Sequence, residues 1–304
     1  MINFQPVSLE HKTLYNKYLF EDNNRSCEFS FANIYLWGQQ NLAFLHDHVL
    51  LLSHFGEYTV YPYPIGSGDK KTVLDAIIAD AKEREIPCCL SGLRKEDIDT
   101  VELLYPGRFR THCNRDSFDY VYSIEDLADL KGRKYHRKRN HISRFQSVFP
   151  KYTTEPLTTK NIALAKQLAE EWYHTKLSDK PDNDFSMEQA ALNMALLHYE
   201  ELDMEGLLLR NQEEILAFTL GSYLSSDTFD IHFEKAKPGF ENAYPVMNNE
   251  FAKHIHRKYS EIKFLDREED MGIEGLRKAK ESYYPHHMKE KCRALLMEES
   301  HENN

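Results

Sequence analysis

The chain has 304 residues, of which 41% are hydrophobic and 29% charged, and its formal net charge at pH 7 is −11. This composition is that of an ordinary globular protein, and the length is about twice that of a usual domain, which favours two domains, each with its own core. The acidic balance argues against nonspecific coating of nucleic acid.

Neither membrane insertion nor secretion is indicated by the sequence. No apolar run approaches the length of a membrane span, and residues 1–12 lack the basic-then-apolar layout of a signal peptide. We therefore expect a cytoplasmic protein, with peripheral membrane contact as an alternative. The five cysteines are an odd number without metal-ligand spacing, so neither a metal site nor a disulfide framework is expected.

For the first half of the chain, the sequence predicts a helix, a three-stranded meander, a helix, a strand, a helix and two strands, in that order. Ser8 and Asp69 are suited to cap the first two helices, and the first two strands turn at Asp47 and His48. The predicted helices are 8–20, 70–81 and 96–104; the predicted strands are two within 41–54, then 57–63, 87–91, 109–113 and 117–122.

The second half predicts two helices, a meander, and then helix, strand, helix and strand, which is the order of an N-acyltransferase domain. The predicted helices are 158–176, 186–201, 242–258 and 273–282; the predicted strands are 206–210, 215–224, 227–236, 261–266 and 291–297. The fold class is therefore α/β (α+β), with two mixed, mostly antiparallel sheets flanked by helices. The predicted domains are 1–130, without clustered acids or bases and thus degenerate, and 151–304, which carries the cleft.

A basic segment at 131–150 connects these domains. Residues 131–144 contain seven Lys or Arg and no acid. On a helix, Arg133, Arg137, Lys138 and Arg139 would be exposed and could contact phosphates of tRNA or of an anionic lipid headgroup without base specificity. The alternative is a solvated linker, or ion pairs with the protein's own acids.

The turn after the strand 227–236 is a candidate phosphate site. In an N-acyltransferase this strand splays from its neighbour and the next helix offers its N-terminus to the carrier's phosphates. Lys237, Gly239 and Asn242 provide a charge, close backbone approach and a helix cap. However, an acetyl-coenzyme A loop has several close glycines, whereas this turn has one, followed by the acid Glu241. A simple turn is the alternative.

The residues 264–285 combine three consecutive acids with a group of bases around two glycines. Clustered carboxylates raise one another's pKa, so Glu269 and Asp270 are candidates for a catalytic base or for binding an ammonium group. Arg277 and Lys280 are candidates for binding the carrier. The alternative is a helix whose acids and bases match its dipole.

Two further candidates lie nearby. Successive side chains of a β-strand point to opposite faces of the sheet, so Glu234 and Lys235 are expected on opposite faces of the strand 227–236. Glu234 is a candidate base or ammonium ligand, and Lys235 a candidate contact for phosphate or a carbonyl oxygen; a solvated pair is the alternative. Tyr283 is a candidate proton donor to the leaving group, with core packing as the alternative.

The chain resembles the phosphatidylglycerol lysyltransferase C-terminal domain family, in its short stand-alone members. The resemblance covers nearly the whole chain. It is carried by FSFANIYLW (29–37), KGRKYHRKRNHISRF (131–145), AFTLG (217–221), HFEKA (232–236) and REEDMGIEGLRKAKESYYP (267–285). It implies two tandem GNAT-like domains; membrane-bound members move an aminoacyl group from a charged tRNA to a lipid headgroup.

The sequence thus predicts an acyl- or aminoacyltransferase that uses acyl-CoA or aminoacyl-tRNA as donor and an amine or hydroxyl, such as a lipid headgroup, as acceptor. Glu234, Glu269 and Asp270 would position or deprotonate the nucleophile, and the splayed strand would hold the carbonyl. The alternative is a non-catalytic module that binds nucleic acid or a phospholipid headgroup through the same surface.

Overall fold

The computed structural model describes residues 1–24, 26–179, 184–240 and 242–297. Glu241, singled out in the sequence, lies outside them. The described residues divide into two compact units, one formed by 1–119 with 289–297 and the other by 120–288. No helix among the described residues is long and apolar enough to cross a bilayer.

The first unit contains one mixed sheet and four α-helices within its described residues. Helices are numbered along the chain: α1 Lys12–Asp22, α2 Phe31–Leu36, α3 Lys70–Glu83 and α4 Lys95–Leu104. The strands of its sheet are β1 Gln5–Pro6, β2 Gln40–Leu45, β3 His48–Phe55, β4 Tyr58–Pro62, β5 Ile65–Gly66, β6 Cys89–Leu93, β7 Phe109–Cys113 and β15 Cys292–Leu296. The first turn of the meander lies at His46 and Asp47, both with positive φ, one residue earlier than predicted.

The second unit also consists of one mixed sheet with α-helices packed against it. Its sheet runs in the order β14, β8, β13, β12, β11, β10, β9, where the strands are β8 Asp119–Ser123, β9 Tyr152–Pro156, β10 Glu205–Asn211, β11 Glu214–Tyr223, β12 Thr228–Ala236, β13 Phe264–Asp266 and β14 His287–Lys289. Its helices are α5 Ile124–Asp129, α6 His136–Val148, α7 Ile162–Asp179, α8 Ser186–Leu197, α9 Ala243–Lys258 and α10 Glu274–Glu281. The predicted fold class, two mixed sheets flanked by helices, is confirmed.

Strand membership differs from the predicted division at 130 and 150. β8, predicted as the last strand of the first half, pairs with β13 in the second sheet. β15, predicted as the last strand of the second half, lies between β6 and β7 in the first sheet. Neighbouring residues in the sequence indicate that each segment is a strand, but which strand it pairs with depends on residues far away in the chain.

The position of β15 in the first sheet brings two cysteines together. Cys113 on β7 and Cys292 on β15 are register partners and form a disulfide bond across 179 residues. The expectation that the cysteines are unpaired is therefore wrong for these two. Sequence spacing could not show the pairing, since the two residues become neighbours only when β15 joins the first sheet.

The core of the second unit forms between its sheet and α5, α6 and α9. Apolar residues at helical spacing on α9, among them Val246, Met247 and Phe251, are fully buried against β12 residues Phe229 and Ile231. This close packing holds α9 against the sheet that carries the candidate site.

Candidate functional site

Glu234, on β12, is a buried carboxylate with one oxygen engaged and one oxygen unpartnered. Its Oε1 accepts from the guanidinium of Arg267 at 3.2 Å, while Oε2 has no hydrogen-bond partner among the described residues. The side chain is 10% exposed. Burial raises the pKa of the Glu234 carboxyl, and the charges of Arg267 and Lys280 offset part of that rise. A carboxylate whose charged form is disfavoured in this way is suited to accept a proton.

Two tyrosines lie beside this pair. The Arg267 guanidinium lies 5.3 Å from the ring centre of Tyr283 and 6.0 Å from that of Tyr122. Burial raises the pKa of the Tyr283 hydroxyl, although the charge of Arg267 opposes the rise. The hydroxyl is therefore protonated at neutral pH and can act as a donor.

Lys138, on the basic helix α6, reaches the same place. Its Nζ lies 3.5 Å from the ring centre of Tyr283 and donates to Ser282 Oγ at 2.6 Å. Burial, and then repulsion from Arg267, lower the pKa of Lys138 to about 8. The basic segment and the carboxylate site thus meet at Tyr283, within the second unit.

The course of β12 explains why Glu234 lies here. β12 pairs in parallel with β13 only from Thr228 to Asp230, so the strand from Ile231 to Ala236 continues beyond β13. Beyond Asp230 this edge of β12 does not have β13 as a partner; divergence of the two strands, the predicted splay, stays a prediction. The pairing with β11 skips His232, a β-bulge that changes which side chains share a face.

Lys235 points away from this site. Its Nζ donates to Glu188 on α8 and lies 3.9 Å from the ring centre of Trp172 on α7. Burial lowers the pKa of the Lys235 ammonium, and Glu188 acts against that effect. Residues 234 and 235 therefore lie on opposite faces, as predicted. Lys235 contacts α7 and α8 and does not reach Glu234.

The acidic run is held by contacts within its own turn. Asp270 is fully buried; its carboxylate accepts from both Arg277 Nε and Nη2 at 2.8 Å and from the Tyr120 hydroxyl at 2.6 Å. The hydrogen bonds from Arg277 hold the pKa of Asp270 well below its usual range, against the effect of burial. Such a carboxylate is a poor base, and Arg277 is a structural partner.

Lys280 also stabilises the backbone of this turn. Its buried Nζ donates to the backbone carbonyls of Arg267 at 2.6 Å, Glu268 at 3.2 Å and Glu269 at 2.5 Å. Burial lowers the pKa of the Lys280 ammonium. Lys280 thereby fixes the backbone from which Arg267 projects. Glu269 is half-buried and contributes its carbonyl to this contact.

The predicted phosphate turn contains a charge that is already paired. Lys237 Nζ donates to Glu214 at 2.6 Å. Gly239 has a φ of 82°, which explains the glycine, and the space beside it is open. Asn242 precedes α9 with helical backbone angles and makes no side-chain capping bond. Helix N-terminal geometry is present here, but the predicted cap is not.

The basic segment divides into structural and open residues. Arg139 donates to the carbonyls of Leu130 and Gly132, which caps the end of α5. Arg133 and Arg137, with Lys134, His136 and Tyr284, line an open pocket on the surface of the second unit. Lys134 forms an ion pair with Asp126 at 3.0 Å, so Arg133 and Arg137 are the charges that make the pocket suited to an anion.

Two of the residues at the site were not predicted for this role. Arg267 lies in the charged run, but sequence gives no sign that it pairs with Glu234 and not with the adjacent acids. Its position directly after the strand end at Asp266 was the available signal. Lys138 was predicted as a surface contact for an anion, whereas the structure brings it to Tyr283.

Comparisons with known proteins agree with this architecture. A solved structure of a conserved protein of unknown function from Bacteroides thetaiotaomicron is 35% identical, with a TM-score of 0.93 over 98% of this chain and 100% of that one. None of the curated proteins compared with the chain matches it in sequence.

More distant structures share the fold. The C-terminal domain assigned to a lysylphosphatidylglycerol synthetase from Agrobacterium fabrum has a TM-score of 0.69 at 11% identity, covering 96% of this chain and 93% of that one. The L-PGS structure from Bacillus licheniformis has a TM-score of 0.67 at 15% identity, covering 97% and 94%. The family model "Phosphatidylglycerol lysyltransferase, C-terminal" matches residues 22–294. The chain therefore belongs to the phosphatidylglycerol lysyltransferase C-terminal family.

Proposed function

We propose that the protein transfers an aminoacyl group from a charged tRNA to an amine or hydroxyl acceptor, with Glu234 as the general base. The observation that carries this proposal is the buried Glu234 carboxylate, whose pKa is raised and whose Oε2 has no hydrogen-bond partner in the part of the chain that the structure describes. A carboxylate buried away from water in this way accepts a proton readily from an attacking nucleophile. The family's name, which denotes lysyl transfer, supports the aminoacyl class.

Each step uses a residue of the second unit. The nucleophile loses its proton to Glu234 Oε2 as it attacks the carbonyl carbon of the aminoacyl ester. The splayed edge of β12 offers backbone N–H groups to the developing oxyanion. Tyr283, protonated at neutral pH, gives a proton to the departing ribose oxygen. Arg267 holds the Glu234 carboxylate in place through Oε1.

The distribution of positive charge supports charged tRNA as the donor. The pocket lined by Arg133 and Arg137 adjoins Tyr284, next in sequence to Tyr283, and suits the phosphates of an acceptor stem. By contrast, Lys237 is neutralised by Glu214, and a single glycine follows it, which makes acyl-CoA the weaker candidate.

The test is a transfer assay with tRNA charged with radiolabelled lysine, a panel of amine and hydroxyl acceptors, and labelled acetyl-CoA in parallel. We expect the protein to speed the loss of label from tRNA and its appearance in an acceptor. Binding of tRNA without any transfer would support the binding module instead, and transfer from acetyl-CoA alone would reassign the donor.

A further inference from the structure

Three potential metal ligands meet on the second unit, outside the Glu234 site. Asp230 and His232 lie on β12, and Glu268 lies in the turn after β13. One ligand atom from each lies within 4.8 Å of the other two. His232 Nδ1 is 3.5 Å from Asp230 Oδ2 and 3.6 Å from Glu268 Oε1. These separations exceed those of good hydrogen bonds to nitrogen.

The histidine ring is buried and oriented. Its side chain is 1% exposed, and Nδ1 has no hydrogen-bond partner among the described residues. Its other nitrogen, Nε2, lies 2.8 Å from Ser222 Oγ on β11. When Nε2 carries the proton and donates it to Ser222, the Nδ1 lone pair points between the two carboxylates. An outer partner that fixes the tautomer in this way is a regular feature of metal-binding histidines.

The distances match metal coordination. Bonds of about 2.0–2.2 Å from nitrogen and carboxylate oxygen, at angles near tetrahedral or trigonal, place neighbouring ligand atoms roughly 3.4–3.6 Å apart. Both His232 separations fall in or next to this interval. Glu268, 25% exposed, is the ligand best able to adjust to an ion.

We propose that Asp230, His232 and Glu268 bind one divalent first-row transition ion, of which Zn²⁺ fits the donor set well. The site joins β12 to the turn after β13. Those two segments also carry Glu234 and Arg267, so the bound ion fixes the distance between base and guanidinium. The inference is independent of the donor or acceptor of the transfer reaction.

The experiment is titration of the full chain, stripped with EDTA, with Co²⁺ and Zn²⁺. We expect one ion per chain by mass spectrometry of the metal, visible Co²⁺ absorption, and a higher melting temperature. His232→Gln and Glu268→Gln should each weaken Co²⁺ binding at least tenfold, with the partly exposed Glu268 serving if the buried histidine variant does not fold. His254→Gln is the matched control, because His254 Nε2 contacts one carboxylate, Glu205, at 2.7 Å. Absence of stoichiometric binding, or equal affinity in parent, Glu268 and control variants, would overturn the site.

Discussion

Arg267 donates to only one oxygen of Glu234, at 3.2 Å, and none of the residues that the structure describes forms a hydrogen bond with the other oxygen of that buried carboxylate. A purely structural ion pair in this position would be expected to use both oxygens, since an unsatisfied buried acceptor costs about 1–3 kcal/mol. The open oxygen is therefore the feature that a reaction at this site can use.

The pH dependence of stability should reveal the cost of burying Glu234. Because its folded-state pKa is raised above its ordinary value, the folded state binds more protons in that interval, and the free energy of unfolding falls as pH rises through it. Glu234→Gln does not titrate. Its stability relative to the parent should increase with pH across this interval and then level off.

Urea unfolding of both proteins between pH 4.5 and 8 measures this difference. Glu170→Gln, at an exposed position of α7, controls for the loss of one negative charge. A stability difference between Glu234→Gln and the parent that stays constant or decreases with pH would contradict the raised pKa of the Glu234 carboxyl.

Lys138 should titrate near pH 8. Burial disfavours its charged form, and Arg267 adds repulsion. Competitive labelling with trace acetic anhydride, read by peptide mass spectrometry, gives the pKa of individual lysines. We expect about 8 for Lys138 and a higher value in Arg267→Met. If Lys138 labels with the same pH profile as the exposed Lys166, it does not lie against Tyr283 and Arg267.

Asp270 should matter for stability and not as a base. Asp270→Asn leaves Arg277 without its counter-charge, and breaking a buried pair costs about 3–5 kcal/mol, here at the lower end because Arg277 is 31% exposed. The folded pKa of Asp270 is depressed, so its contribution is present above its ordinary pKa and is lost as pH falls. Chemical denaturation at pH 7 tests this, and Asp270→Asn/Arg277→Met should recover part of the loss. Parent-like stability of Asp270→Asn would refute the assigned role.

The basic pocket should determine how tRNA binding depends on salt. Each phosphate contact adds about one unit to the slope of log affinity against log salt concentration. Arg133→Ala and Arg137→Ala should each weaken binding and lower that slope by about one, whereas Lys166→Ala, on the exposed side of α7, should leave it unchanged. Equal slopes in all four proteins would exclude this pocket as the phosphate contact.

The sequence predicts the elements of the second unit well because their signals are local. The apolar spacing along α9 and the polar turn at 211–214 depend on residues close in the chain, and the structure has β10, β11, β12 and α9 near the predicted bounds. Pairing is different. β8 and β15 were recognised as strands, but which sheet each would join depends on contacts more than 100 residues distant.

The candidate site was predicted in part for the same reason. Alternation was enough to separate Glu234 from Lys235. The acidic run drew attention to Glu269 and Asp270 through charge density, but folding satisfies Asp270 within its own turn and leaves the open carboxylate on β12. Neither the bulge at His232 nor the pairing of Arg267 with Glu234 is written in a local pattern.

The most direct measurement compares Glu234→Gln with the parent in the aminoacyl-transfer assay, with Glu269→Gln as the matched carboxylate control. A general base contributes about 10²–10⁴-fold to rate, so we expect the Glu234 variant to lose at least about 100-fold in turnover while its tRNA affinity stays the same. Glu269→Gln should lose far less. Turnover of Glu234→Gln equal to that of the parent would contradict the central claim that this buried carboxylate is the base.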